Sequence, residues 1–162
     1  MDEALYDLAV RVGQALKMRG LQLVTAESCT GGWIGEAITM VPGSSEWYER
    51  GFITYTNTAK MQMLGVLATT LVNHGAVSEQ TVKEMVAGAL KHSPGNVAVS
   101  VSGVAGPGGG TPHKPVGTVC FGWALRDGPL VAATHHFDGD REQVRRLAVA
   151  RALEGILSLV PG

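Results

Sequence analysis

Two kinds of segment alternate along this chain, and their alternation restricts the fold more than any other feature. Leu5, Leu8, Val12 and Leu16 recur at helical spacing with Gly20 as a stop, which predicts a helix over 4–19. A strand-length apolar run at 21–25 leads through a turn of small residues (26–32) into a short helix at 33–40, closed by Pro42-Gly43. The order then repeats. A strand at 51–56 precedes a helix that Asn57 can cap, which carries Lys60 and Leu64 and stops at Gly65. Ser78 can cap a further helix with Val82, Met85, Val86 and Leu90 on one face, and Ser93-Pro94-Gly95 breaks it before a strand at 97–101. Strands at 117–125 and 130–137 meet at Asp127-Gly128, a hairpin signal. Asp140 with Gln143 forms a capping-box pattern for a last helix over 141–159. Strands separated by helices pair in parallel, whereas hairpin strands run antiparallel. The expected fold is therefore α/β: one domain over 1–162, a mixed, mostly parallel five-stranded sheet, and helices on both faces. Ligands of such sheets bind at the carboxyl ends of strands, here the loops after Thr25, Thr56 and Val101.

Composition narrows the partners. With 17% charged residues, a net charge of −1 and no interleaving of basic and aromatic residues, the chain lacks the field and the stacking platform that nucleic acid requires. No apolar run reaches the roughly 18 residues of a membrane span, and the acidic start Met1-Asp2-Glu3 is unlike a signal peptide, so a cytoplasmic location is expected. Cys29 and Cys120 lack CxxC spacing and the five histidines lack HExxH spacing, so neither a metal site nor a cofactor is indicated.

Three segments carry residues suited to chemistry. In Thr25-Ala26-Glu27-Ser28-Cys29-Thr30-Gly31-Gly32, a helix start follows a strand end and offers free amides to a phosphate or an oxyanion. Ser28 there is either a nucleophile or a helix cap, and Cys29 is either a rival nucleophile or a small core residue. In the second segment, Tyr55 ends a strand, Asn57 follows, and Lys60 occupies a first helical turn where the dipole opposes its charge. Lys60 is either a solvated surface residue or a base whose pKa burial has lowered. The third segment, 102–117, is rich in glycine and proline and leaves amides uncovered around Gly103, Ala105 and Gly106. It matches neither a Walker A nor a Rossmann pattern. Arg141 and Arg145 stand one turn apart at a helix start, as a phosphate site or as a solvated charge cluster.

Taken together, Ala26-Glu27-Ser28-Cys29-Thr30-Gly31-Gly32, the run from Gly51 to Lys60 with Leu64-Gly65-Val66, Gly75-Ala76-Val77-Ser78, Gly103-Val104-Ala105-Gly106-Pro107 and Lys114-Pro115-Val116-Gly117-Thr118 resemble the CinA carboxy-terminal domain family over nearly the whole chain. His113 departs from the acidic residue more usual in that family before Lys-Pro-Val-Gly. The resemblance implies a three-layer α/β/α fold, a homodimer, and an enzyme that hydrolyses nicotinamide mononucleotide to nicotinate mononucleotide and ammonia. It implies Ser28 as nucleophile with Tyr55 and Lys60 as its activating partners. Cys29, Thr30, Gly31, Asn57, Gly103, Ala105, Gly106, Arg141 and Arg145 are then candidates for binding the substrate. The alternatives are a non-catalytic nucleotide-binding module linked to competence or DNA damage, and an amidase for another small carboxamide.

Overall fold

A computed structural model of the chain describes residues 1–161. Its elements are α1 (Glu3–Met18), β1 (Leu23–Glu27), α2 (Trp33–Thr39), β2 (Tyr48–Ile53), α3 (Asn57–Leu64), α4 (Ala68–His74), α5 (Glu79–Lys91), β3 (Val97–Gly103), β4 (Thr118–Leu125), β5 (Leu130–His136) and α6 (Arg141–Leu159). The strands form one sheet in the order β2-β1-β3-β4-β5. β1 pairs in parallel with β2 and β3, while β4 is antiparallel to both β3 and β5, so four of the five strands share one direction. Helix-linked strands and the hairpin adopt the directions expected of them.

Alternation along the strands sorts side chains between two cores. Leu23 of β1, Val97, Val99 and Val101 of β3 and Phe121 and Trp123 of β4 face α1, α2 and α6. Val24, Ala26, Ala98, Cys120 and Ala124 face the opposite layer, which is built from α5 with Leu64 of α3 and Leu71 of α4. Every residue of β1 is buried, as a central strand covered on both faces requires. Where α3 meets α5 the backbones pass so closely that a Cβ at Gly88 would collide with the Leu64 carbonyl. That approach holds the helix bearing Lys60 against the sheet.

Several element boundaries differ from expectation, β1 and β3 among them running on to Glu27 and Gly103 rather than ending at Thr25 and Val101. β1 starts two residues late because Leu21 donates its amide to the Leu16 carbonyl, closing α1, and Gln22 bonds to Asn96. β2 runs over Tyr48–Ile53 rather than 51–56, because the carbonyls of Thr54 and Tyr55 turn away from the sheet toward Lys60. α3 is capped by the Thr56 hydroxyl, which accepts from the Ala59 amide at 3.0 Å, and Asn57 is its first helical residue. The short α4 has no capping side chain of its own and was not anticipated. Glu84 of α5 supplies the missing acceptor for the Leu67 amide at 2.8 Å.

Candidate active site

The carboxyl ends of β1 and β3 lie side by side, joined by the Ser28 amide donating to the Val101 carbonyl at 3.0 Å. Two residues beyond Ala26, Ser28 falls on the α3 and α5 side of the sheet. Lys60 reaches it from α3, with Nζ 2.9 Å from Ser28 Oγ, 2.9 Å from the Thr54 carbonyl and 3.0 Å from the Tyr55 carbonyl. Lys60 is only 1% exposed, and all three partners are uncharged. Burial therefore lowers its pKa to about 8. As an ammonium, Nζ donates to all three; once deprotonated, two N–H groups can serve the two carbonyls while the lone pair accepts from the Ser28 hydroxyl.

These two groups border a cleft of about 320 Å³ whose lining includes Ser28, Cys29, Tyr55, Asn57, Lys60, Gly103, Ala105, Gly106 and Arg141. Of the residues singled out from the sequence, Thr30, Gly31 and Arg145 do not line it. The spacing that placed Arg141 and Arg145 together is correct for the helix but not for their targets. Arg141 bonds the Gly106 carbonyl at 2.7 Å and stands 3.4 Å from the Tyr55 hydroxyl, tying the glycine-rich loop to that wall. Arg145 turns instead to the carbonyls of Cys29 and Thr30, at 3.0 and 3.1 Å, and its guanidinium lies over the Trp33 ring. Tyr55 meets Lys60 through its main chain, and its side chain is 60% exposed. Cys29 is buried, which raises its thiol pKa to about 11 and keeps it protonated at neutral pH.

Several backbone donors lie in the two segments that meet here. Among the described residues, the amides of Cys29 and Thr30 have no hydrogen-bond acceptor elsewhere in the chain, and neither do those of Ala105, Gly106, Gly108 and Gly109. Gly106 and Gly109 hold positive φ of 87° and 88°, a region open to glycine.

Two polar residues escaped the sequence reading. Glu27, buried at the end of β1, accepts from Thr30 Oγ1 at 2.6 Å and from the amides of Gly32, Ile34 and Gly35 at 3.2, 3.0 and 3.1 Å. An acid interrupting a strand-length apolar run just before a helix start was the available signal. Glu27→Ala would leave these donors without an acceptor, and a loss of about 3 kcal/mol is expected, measured as a fall in the denaturant midpoint. The other is Ser102, which is buried on β3 and lines the cleft.

Among the described residues no group of three histidine, cysteine, aspartate or glutamate side chains converges as metal ligands, and no helix is long and apolar enough to cross a membrane. Known proteins share both sequence and fold with this chain. It is 55% identical over 153 residues to the nicotinamide-nucleotide amidohydrolase PncC of Escherichia coli (strain K12), which spans 94% of this chain and 93% of that one. The protein of the same name from Pseudomonas putida is 53% identical over 153 residues, 94% of each chain. The crystal structure of the competence/damage inducible protein CihA from Agrobacterium tumefaciens matches with a TM-score of 0.93 at 45% identity, over 96% of this chain and 95% of that one. The model of the CinA C-terminal domain matches residues 5–160, and the chain belongs to that family.

Proposed function

We propose that this protein is a nicotinamide-nucleotide amidohydrolase that cleaves the carboxamide of nicotinamide mononucleotide, with Ser28 as nucleophile. The observation that carries this reading is the 2.9 Å contact between Ser28 and a buried lysine with no acidic partner. The PncC relatives supply the substrate. Neutral Lys60 takes the hydroxyl proton as Ser28 Oγ bonds to the carboxamide carbon. The amides of Cys29 and Thr30, which directly follow Ser28 and have no acceptor elsewhere in the chain, hold the resulting oxyanion, an interaction worth ~2.7–4 kcal/mol for each donor. As the C–N bond breaks, the nitrogen takes the proton from Lys60 and leaves as ammonia. Water then attacks the acyl ester, giving one proton to Lys60, which returns it to Ser28 Oγ, and nicotinate mononucleotide departs as the carboxylate, its remaining acid proton passing to solvent. Tyr55 contributes its carbonyl to the lysine cage. Its phenol belongs with Arg141 on the cleft wall.

Arg141 and the uncovered amides of Gly108 and Gly109 form the part of the cleft suited to the 5′-phosphate. Arg141→Ala is expected to raise KM roughly 10-fold while changing kcat no more than about 3-fold, because the phosphate is remote from the reacting bond. Steady-state kinetics on nicotinamide mononucleotide checks the split.

The decisive assay is ammonia release by the purified protein from nicotinamide mononucleotide, nicotinamide riboside and free nicotinamide. Release from the mononucleotide far above the other two is expected. Equal release from free nicotinamide would instead identify an amidase for small carboxamides. Tight binding of the mononucleotide without any release would identify a non-catalytic nucleotide-binding module.

A further inference from the structure

Arg145 spends its donors on the turn that follows Ser28. Nε bonds the Cys29 carbonyl at 3.0 Å and Nη2 bonds the Thr30 carbonyl at 3.1 Å. Both peptides are trans, so in each the N–H points opposite to the C=O that the guanidinium holds. The Cys29 carbonyl shares its peptide with the Thr30 amide, one of the two free donors. The Thr30 carbonyl shares its peptide with the Gly31 amide, which donates to the Ser28 carbonyl at 3.0 Å. The Ser28 carbonyl in turn shares its peptide with the Cys29 amide, the second free donor. Two chains of peptide dipoles thus start at one cation and end at the two unpartnered N–H groups beside the nucleophile. Arg145 approaches from α6 and Lys60 from α3, on opposite faces of the sheet.

We propose that Arg145 is a positioning residue that aims and polarises the Cys29 and Thr30 amides as an oxyanion hole, rather than a ligand of the substrate phosphate. The inference rests on the serine mechanism proposed above. Hydrogen-bonded peptides polarise one another, so a positive charge at the head of each chain strengthens the donor at its end. The guanidinium lies over the Trp33 ring, 5.3 Å from its centroid, and the fork reaches both carbonyls at once, which a lysine cannot do.

The test compares Arg145→Gln, which can still bond one carbonyl without charge, with Arg145→Lys, which restores the charge without the fork. Activities are normalised to folded protein by circular dichroism. Arg145→Gln is expected to lower kcat by about 10- to 100-fold, somewhat less than deleting an oxyanion donor outright, with KM nearly unchanged. Arg145→Lys should recover part of that loss. The discriminating probe is nicotinamide mononucleotide with a boronic acid in place of the carboxamide, which forms a tetrahedral anionic adduct with a serine. Its affinity should fall across the variants in proportion to kcat/KM, a dependence that a purely structural arginine would not produce. A loss confined to KM, or a kcat within about 3-fold of wild type in Arg145→Gln, overturns the inference. Ser28→Ala is run in parallel to separate the two failures. If it still deamidates, the serine mechanism itself falls; if it is inert while Arg145→Gln is normal, only the role of Arg145 falls.

Discussion

Ser28→Ala should reduce deamidation by about 10⁴-fold or more while leaving the fold and most of the affinity for nicotinamide mononucleotide intact. The hydroxyl is a small, nearly buried group, and Lys60 keeps its bonds to the Thr54 and Tyr55 carbonyls when it is removed. The main-chain amides after Ser28 and the Arg141 end of the cleft are untouched, so calorimetric binding should persist where turnover does not. Ammonia release within 10-fold of wild type would exclude Ser28 as nucleophile. If that residual release were abolished by a thiol alkylating agent, the nucleophile would be Cys29, whose thiol is otherwise held protonated by burial.

Lys60 is expected to show the second largest effect, with opposite signs for activity and stability. Because the base must be neutral, kcat/KM should rise with pH through an acidic limb near the lysine pKa of about 8. Lys60→Arg should fail as completely as Lys60→Met, since a guanidinium stays protonated at any working pH. Near-normal activity in Lys60→Arg would reduce the residue to an electrostatic role. For stability, the folded pKa of about 8 lies below the ordinary lysine value of 10.5, so the unfolded chain binds more protons between those two values. Stability from this group therefore increases as pH rises from about 8 to 10.5, and below pH 8 the folded state carries a penalty of about 3 kcal/mol. Lys60→Met, similar in length and uncharged, should remove that penalty and raise the melting temperature near neutral pH. Cys29 acts in the opposite sense between about pH 9 and 11, because its thiol is harder to ionise in the fold. The quantity to measure is thus the difference in unfolding free energy between wild type and Lys60→Met across pH 7–9, below the range in which Cys29, which is coupled to Lys60, contributes. A flat difference would contradict the buried environment, without an acidic partner, assigned to the lysine.

Local spacing was enough to reveal the layered fold and the segments that meet in the cleft. The helix of Val82, Met85 and Val86, the Asp140–Gln143 capping box and the Asp127-Gly128 hairpin all express interactions within a few residues, and each formed where its pattern lies. The same locality placed Ser28 between a strand and a helix, and Lys60 one turn into the next. Sequence alone left the role of each open, because a cap and a nucleophile, or a surface lysine and a buried base, are written with the same residues. Long-range contacts decided only the placement, with Lys60 buried against Ser28 rather than exposed: 32 positions separate Ser28 from Lys60, and 116 separate Arg145 from the Cys29 carbonyl. Such pairings depend on which strand ends become neighbours and how deeply a helix sinks against the sheet. Lys60 is buried because the Thr54 and Tyr55 carbonyls leave β2 to meet it, and Gly88 lets α3 approach α5 closely. Arg145 left its helical neighbour Arg141 for the same kind of reason, since two carbonyls and the Trp33 ring are offered to it by a segment more than 100 residues away in the chain.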